Sequence, residues 1–301
     1  MDRNSVNWSG PMPAVTTPFD RDGRIDQQSF ADNIARLIDA GATGIVAGGC
    51  TGEFWALSLA ERKQLCRIAV EAAAGRGTVI VGTGAVTVEE TVELTNDAEQ
   101  AGVDGALILP PYFVKLTDDE TLAHYNDVSD RTGLPILLYN IPGNAVNALT
   151  PALVNRLADL PNVVAVKESS GDWNNFYGTL LAVRDRLRVF CGPSSIFGVP
   201  AVEAGADGVI DCFPNVWAPG GLDLYHATAR GDRTLANDLQ ATGRKLTDLF
   251  TSGGRTLYPA TKAAMDMMRL PGGGKPRAPL RPLAGEPLRG LRRGLEEMRL
   301  I

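Results

Sequence analysis

Short runs rich in Val, Ile and Leu, each four to six residues long, alternate along the chain with longer segments whose apolar residues recur at helical spacing. Apolar strands separated by amphipathic helices are the pattern of a parallel sheet covered on both faces. The runs fall at Ala14–Phe19, Gly44–Gly48, Val79–Gly82, Gly105–Leu109, Ile136–Asn140, Val163–Lys167, Val189–Gly192 and Gly208–Cys212, eight in all. Eight such units predict an α/β fold of the (β/α)8 TIM barrel type.

The intervening segments carry helix starts and stops. Ser58-x-x-Glu61, Thr87-x-x-Glu90 and Thr117-x-x-Glu120 each read as a capping box, and Thr150-Pro151 as a cap followed by an N1 proline. Ala40-Gly41-Ala42, Ala101-Gly102-Val103, Thr132-Gly133-Leu134 and Ala204-Gly205-Ala206 place glycine where each helix must release the chain into the next strand. Beyond the eighth strand, segments 233–250, 256–268 and 287–299 read as helices in excess of what the barrel needs. The expected organisation is therefore a barrel over residues 1–230 and a small C-terminal helical extension over 231–301.

Composition narrows the function classes. In 301 residues, 29 Lys and Arg stand against 35 Asp and Glu, for a net charge of −6. That balance supplies no general attraction to nucleic acid or to an anionic membrane. No run approaches the roughly 20 apolar residues of a membrane span. The start, Met1-Asp2-Arg3-Asn4-Ser5, has no apolar stretch of signal length, so a cytoplasmic location is expected. Cys50, Cys66, Cys191 and Cys212 form no CxxC pair, only His124 and His226 complement them, and no metal site is expected.

In such barrels chemistry sits at the C-terminal ends of the strands, so polar residues closing an apolar run are the candidates. Strand six, Val163-Val164-Ala165-Val166-Lys167-Glu168-Ser169, ends on a lysine that by period-two alternation shares a face with Ala165 and Val163. If that face looks inward, desolvation lowers the lysine pKa and frees an amine able to attack a ketone. The plainer alternative is a lysine emerging into solvent with Glu168 as its partner. Strand five ends Tyr139-Asn140-Ile141-Pro142, placing a phenol next to that lysine, where it serves either as a proton relay or as a packed core tyrosine. After strand two, Gly48-Gly49-Cys50-Thr51-Gly52-Glu53-Phe54 offers backbone amides and a hydroxyl for a carboxylate, or simply lets the chain pass close to the sheet. Asp211, closing strand eight, is equally a pocket group or a structural acceptor. The two histidines lie in helical segments and suggest no Ser-His-Asp arrangement.

These motifs converge. Ala14-Val15-Thr16-Thr17-Pro18-Phe19, Gly49-Cys50-Thr51-Gly52-Glu53, Tyr139-Asn140-Ile141-Pro142, Val166-Lys167-Glu168-Ser169-Ser170-Gly171, Ala204-Gly205-Ala206-Asp207-Gly208 and Arg277-Ala278-Pro279-Leu280 stand between Ala14 and about Leu283. Over that span the chain resembles the dihydrodipicolinate synthase and N-acetylneuraminate lyase superfamily. The resemblance implies a pyruvate-type Schiff base on Lys167, a proton-relay tyrosine at Tyr139, and carboxylate binding by the Cys50-Thr51 turn. It implies a homotetramer, a dimer of dimers, whose partner molecule is a small 2-oxo acid, and no cofactor beyond the covalent lysine adduct. Gly192, Ser194, Val209 and Asn144, in and beyond strands five, seven and eight, complete the expected substrate-binding set.

The chain also departs from the superfamily pattern. The synthase branch follows Tyr-Asn-x-Pro with an arginine that grips the aldehyde substrate's carboxylate, whereas here the motif continues Gly143-Asn144. The sialic acid branch has an acidic pair where this chain has Ser194-Ser195. Cys50 replaces the first of two adjacent hydroxyl residues, and Phe113 falls where a second tyrosine would complete a relay across a dimer. The Gly52-Glu53-Phe54 and Pro142-x-Asn144 variants look like the 4-hydroxy-2-oxoglutarate aldolase and 5-dehydro-4-deoxyglucarate dehydratase branches. The expected activity is retro-aldol cleavage of a 4-hydroxy-2-oxo acid. The alternatives are dehydration of a 2-oxo-3-deoxy sugar acid, synthase-like condensation, a phosphate-binding barrel isomerase or aldolase, and a 2-oxo acid-binding barrel without turnover.

Overall fold

The computed structural model describes all 301 residues. Eight parallel strands form the barrel: β1 Gly10–Pro11, β2 Gly44–Ala47, β3 Thr78–Gly82, β4 Gly105–Ile108, β5 Ile136–Asn140, β6 Val163–Glu168, β7 Arg188–Cys191 and β8 Gly208–Val209. Helices α1 Gln27–Asp39, α2 Leu59–Ala73, α3 Val88–Gln100, α4 Asp118–Arg131, the short α5 Pro142–Ala145, α6 Pro151–Leu157, α7 Trp173–Val183, α8 Ser194–Glu203 and α9 Ala218–Ala229 surround it. Helices α10 Arg233–Thr251, α11 Leu257–Met267 and α12 Gly285–Glu297 follow. No helix is long and apolar enough to cross a membrane.

Two apolar layers follow from the pleat. Ile45, Val79, Val81, Ala106, Ile108, Ile136, Leu138, Val166, Val189 and Val209 point outward and pack with the helices. Val46, Ile80, Leu107, Leu137, Ala165, Phe190 and Ile210 fill the barrel interior, with Trp8 in the same cluster against Gly105. Strand β6 breaks strict alternation. Its register against β5 jumps from Ile136↔Val163 to Leu137↔Ala165, a bulge at Val164. Val163 therefore faces the helices, and Lys167 shares the interior with Ala165 and Val164, not with Val163 as alternation predicts.

The first strand lies upstream of the predicted Ala14–Phe19. Gly10 and Pro11 pair with Gly208 and Val209, and the ladder continues through Met12 N to Val209 O at 2.9 Å and Ala14 N to Asp211 O at 2.9 Å. Toward β2 this segment offers mostly carbonyls: Pro11 O accepts from Thr43 N at 3.0 Å, and Pro13 O from Val46 N at 2.8 Å. Two prolines without N–H groups leave only the isolated bridge Ala14↔Val46 to close the barrel.

The helix punctuation is largely as read. Ser58 and Thr117 form full capping boxes, and Thr150 accepts from Leu153 N ahead of Pro151. Thr87 caps Glu90 N without the reciprocal bond, because the Glu90 carboxylate lies 3.9 Å from Arg62. Gly41, Gly102 and Gly205 take positive φ, while Thr132 ends α4 in an extended conformation and Gly133 needs no left-handed turn.

The last three helices bury Leu246, Phe250, Ala260, Met265, Leu291 and Leu295 against Cys212 and Phe213 just after β8. This packing brings the C-terminal end of α10 and the start of α11 over one side of the barrel mouth.

Candidate active site

Lys167 is buried within the C-terminal end of the barrel, in register with Tyr139 on the neighbouring strand. Its Nζ lies 4.3 Å from the centre of the Tyr139 ring. Burial pushes the ammonium pKa below the ordinary 10.5, with the Cys50 thiol and the Asp211 carboxylate pulling in the opposite direction. Glu168 does not pair with it. The Glu168 carboxylate turns to the other face of the strand, where Oε1 accepts from Asn140 Nδ2 at 2.9 Å and from Ser170 N at 2.7 Å. Asn140 Oδ1 in turn accepts from Leu149 N at 2.9 Å, so the ends of β5 and β6 are tied together beside Tyr139 and Lys167.

The Tyr139 hydroxyl donates to Cys50 Sγ at 3.7 Å. Burial holds this phenol well above its usual range, and the neighbouring Cys50 adds to the shift. Burial likewise raises the Cys50 thiol, with Lys167 pulling it back. On its far side Cys50 meets the hydroxyl of Tyr258, at the start of α11, which burial also raises. A thiol thus sits between two phenols beside the lysine.

The turn after β2 is held from several directions. Thr17 Oγ1 donates to Gly52 O at 2.8 Å. Glu53 adopts a left-handed conformation, φ 56°, and its fully buried carboxylate pairs with Lys262 Nζ at 2.5 Å and accepts from Arg277 N at 2.8 Å. Thr51 is buried and faces the same cavity as Lys167. Backbone in a sparsely populated region persists only where its surroundings fix it, and here a buried ion pair does so.

The cavity measures about 170 Å³. It brings together Lys167, Tyr139, Cys50, Thr51 and Gly192 from the predicted set. At Gly192 a Cβ would overlap the Ser169 hydroxyl, so glycine keeps that hydroxyl at the cavity wall. Three predicted residues sit elsewhere. Val209 faces the helix layer, and its neighbour Ile210 lines the cavity instead. Ser194 lies behind the wall, donating to Asp211 Oδ2 at 2.9 Å. Asn144 is exposed outside the cavity, its side chain against the Tyr258 hydroxyl. Asp211 is both pocket group and structural acceptor: it lines the cavity and also accepts from Ser195 N at 2.9 Å and Cys212 N at 2.6 Å. Sequence reasoning missed Thr247, Thr251, Leu257 and Tyr258, which the C-terminal helices deliver to the wall. No group of three or more His, Cys, Asp or Glu side chains is arranged to hold a metal ion.

A buried lysine beside a tyrosine at the mouth of a (β/α)8 barrel agrees with what the whole sequence matches: the model of the Dihydrodipicolinate synthetase family covers residues 7–298. The chain belongs to this family. A 4-hydroxy-tetrahydrodipicolinate synthase of Syntrophotalea carbinolica is 37% identical over 209 residues, 69% of this chain and 71% of that one. Another, of Desulfotalea psychrophila, is 31% identical over 98% of both chains. Among solved structures, YagE, a prophage protein of the same family from E. coli K12 in complex with pyruvate, superposes with a TM-score of 0.92 at 28% identity, covering 98% of this chain and all of its own. Membership makes the chain a lyase of the class I aldolase type, which removes the reading as a binding protein without turnover.

Proposed function

We propose that this lyase forms a Schiff base between Lys167 and the ketone of a 2-oxo acid, and cleaves a 4-hydroxy-2-oxo acid by retro-aldol chemistry. The observation that carries the reading is the buried Lys167 ammonium, its pKa lowered by desolvation, against Tyr139 in a cavity that also holds Thr51. In this mechanism Nζ adds to C2, and the carbinolamine loses water to give an iminium as Tyr139 carries protons. Tyr139, left as phenolate once it has protonated the departing hydroxide, takes the C4 hydroxyl proton and the C3–C4 bond breaks. The electron pair moves into the iminium to form an enamine and an aldehyde departs. Protonation at C3 and hydrolysis release pyruvate and restore the lysine. The substrate carboxylate rests on the Thr51 hydroxyl and the preorganised amides of its turn. Cys50 and Tyr258 extend the proton path from Tyr139 within one chain.

The names of the relatives favour a second reading, condensation of pyruvate with a carboxylated aldehyde on the same enamine. The absence of an arginine at Gly143-Asn144 weighs against it. A homotetramer is part of the proposal. It is supported by Phe113, 93% exposed in a positive-φ conformation, and by Tyr177 and Leu181 exposed together on α7; sedimentation velocity measures it. The Schiff base is tested by treating the enzyme with pyruvate and borohydride and mapping the peptides. A pyruvyl adduct on Lys167 supports the mechanism, and its absence in folded protein defeats it.

A further inference from the structure

We infer that the part of the substrate beyond C3 is uncharged and hydroxylated, ending in an alcohol and not in a second carboxylate. The inference rests on the Schiff-base reading above and deepens it. Of the residues around the cavity, only Lys167 and Asp211 carry charge, and no arginine, histidine or second lysine lines it. With Lys167 bonded to C2, its positive iminium is fixed there beside the 2-oxo acid's own carboxylate, and no further cation is left for a distal anion.

The side of the cavity formed after β6, β7 and β8 and by α10 carries hydroxyls around the Asp211 carboxylate. Asp211 takes its hydrogen bonds from Ser194, Ser195 N and Cys212 N, all donated by the protein itself. Ser195 Oγ lies 3.0 Å from Thr247 Oγ1, whose single proton is shared between it and Gly243 O at 3.1 Å, so this hydroxyl pair keeps lone pairs to accept from a ligand alcohol. Ser169, kept clear by Gly192, and Thr251 add hydroxyls to the same wall. A carboxylate tail would lose its hydration there, gain no counter-ion and approach Asp211 as a like charge. An alcohol tail would exchange its water hydrogen bonds for those of the serines and threonines. Charge repulsion across several ångströms at an intermediate dielectric corresponds to about 30-fold in affinity.

A matched pair of five-carbon acids isolates the tail: 4,5-dihydroxy-2-oxopentanoate, which ends in an alcohol, and 4-hydroxy-2-oxoglutarate, which ends in a carboxylate. Both are 2-oxo acids, so borohydride trapping reports occupancy of Lys167 for each even where turnover is slow; kcat/KM gives the second readout. We expect the alcohol-terminated acid to half-saturate trapping at a concentration about 30-fold lower. Thr251→Arg, which adds a cation to that wall, should narrow the ratio by tightening the dicarboxylate. Equal or tighter trapping of the dicarboxylate by the unaltered enzyme overturns the inference while the Lys167 adduct leaves the Schiff-base reading standing. A ratio unmoved by Thr251→Arg overturns the placement of the tail against this wall. Failure of pyruvate itself to trap on Lys167 removes the Schiff-base reading and this inference with it.

Discussion

Lys262→Met tests whether the C-terminal helices hold in place the Cys50-Thr51 turn that we propose binds the substrate carboxylate. Lys262 on α11 is 1% exposed and Glu53 not at all, with Nζ and Oε1 2.5 Å apart. The ammonium also lies 4.3 Å from the centre of the Phe19 ring, and burial lowers its pKa while Glu53 draws it back up. Methionine keeps most of the side chain's length and apolar contact but removes the charge. The Glu53 carboxylate would then be buried with only the Arg277 N–H as a partner. Breaking one side of a buried pair costs about 3–5 kcal/mol, because the remaining charge keeps its desolvation penalty. For a chain of this size that corresponds to a fall of about 5–8 °C in Tm. Glu53→Gln combined with Lys262→Met removes both charges and should recover most of the loss. Calorimetry or urea denaturation of Lys262→Met, Glu53→Gln and the double variant completes the cycle. Pyruvate half-saturation, measured well below Tm, should rise in Lys262→Met as the Thr51 turn loses its anchor. A single variant within about 1 kcal/mol of the parent, or a double variant no better than Lys262→Met, would refute the reasoning.

Three further outcomes are expected. Lys167→Met should abolish turnover and, at neutral pH, stabilise the fold: the buried lysine's pKa lies below 10.5, so the unfolded chain binds more protons, and the penalty is full below the folded pKa and fades as pH rises toward 10.5. Denaturation at pH 7 and pH 10 reads this, and a variant less stable than the parent at pH 7 contradicts it. Tyr139→Phe keeps the ring against Lys167 but removes the hydroxyl on Cys50, so kcat should drop by about 10²–10⁴ while pyruvate is still trapped by borohydride over longer times; an unchanged kcat denies the phenol its role. Gly192→Ala should displace the Ser169 hydroxyl and cost about 1–3 kcal/mol, with Ser169→Gly restoring part of the stability and the 2.9 Å approach to the Glu168 carbonyl keeping the rest; urea midpoints that show no rescue would point to that backbone contact as the whole cause.

How much of this site can be read in the sequence depends on how each side chain reaches it. Lys167 is legible because it ends an apolar strand, and strand periodicity carries facing information over the few residues involved. Even there the bulge at Val164 changes which residue shares its face, and nothing in Val163-Val164-Ala165-Val166 marks the extra residue. Strand β8 has only two paired residues, too few for alternation to define a face, which is why Val209 and Ile210 exchange roles. Strand β1 is obscured by Pro11 and Pro13, which remove donors from a segment that still runs as barrel wall. Thr247, Thr251 and Tyr258 are illegible for a different reason. Their helical pattern specifies a buried face, but the angle at which that face docks is set by Phe250, Ala260 and Met265 packing on Cys212 and Phe213. The strands thus place Lys167 and Tyr139, while the rest of the cavity wall comes from strand-end turns and from the helices after the barrel. A reading from strand motifs therefore reaches Lys167 and Tyr139 before the rest of the wall, because Thr247, Thr251 and Tyr258 lie where periodicity is silent about the site.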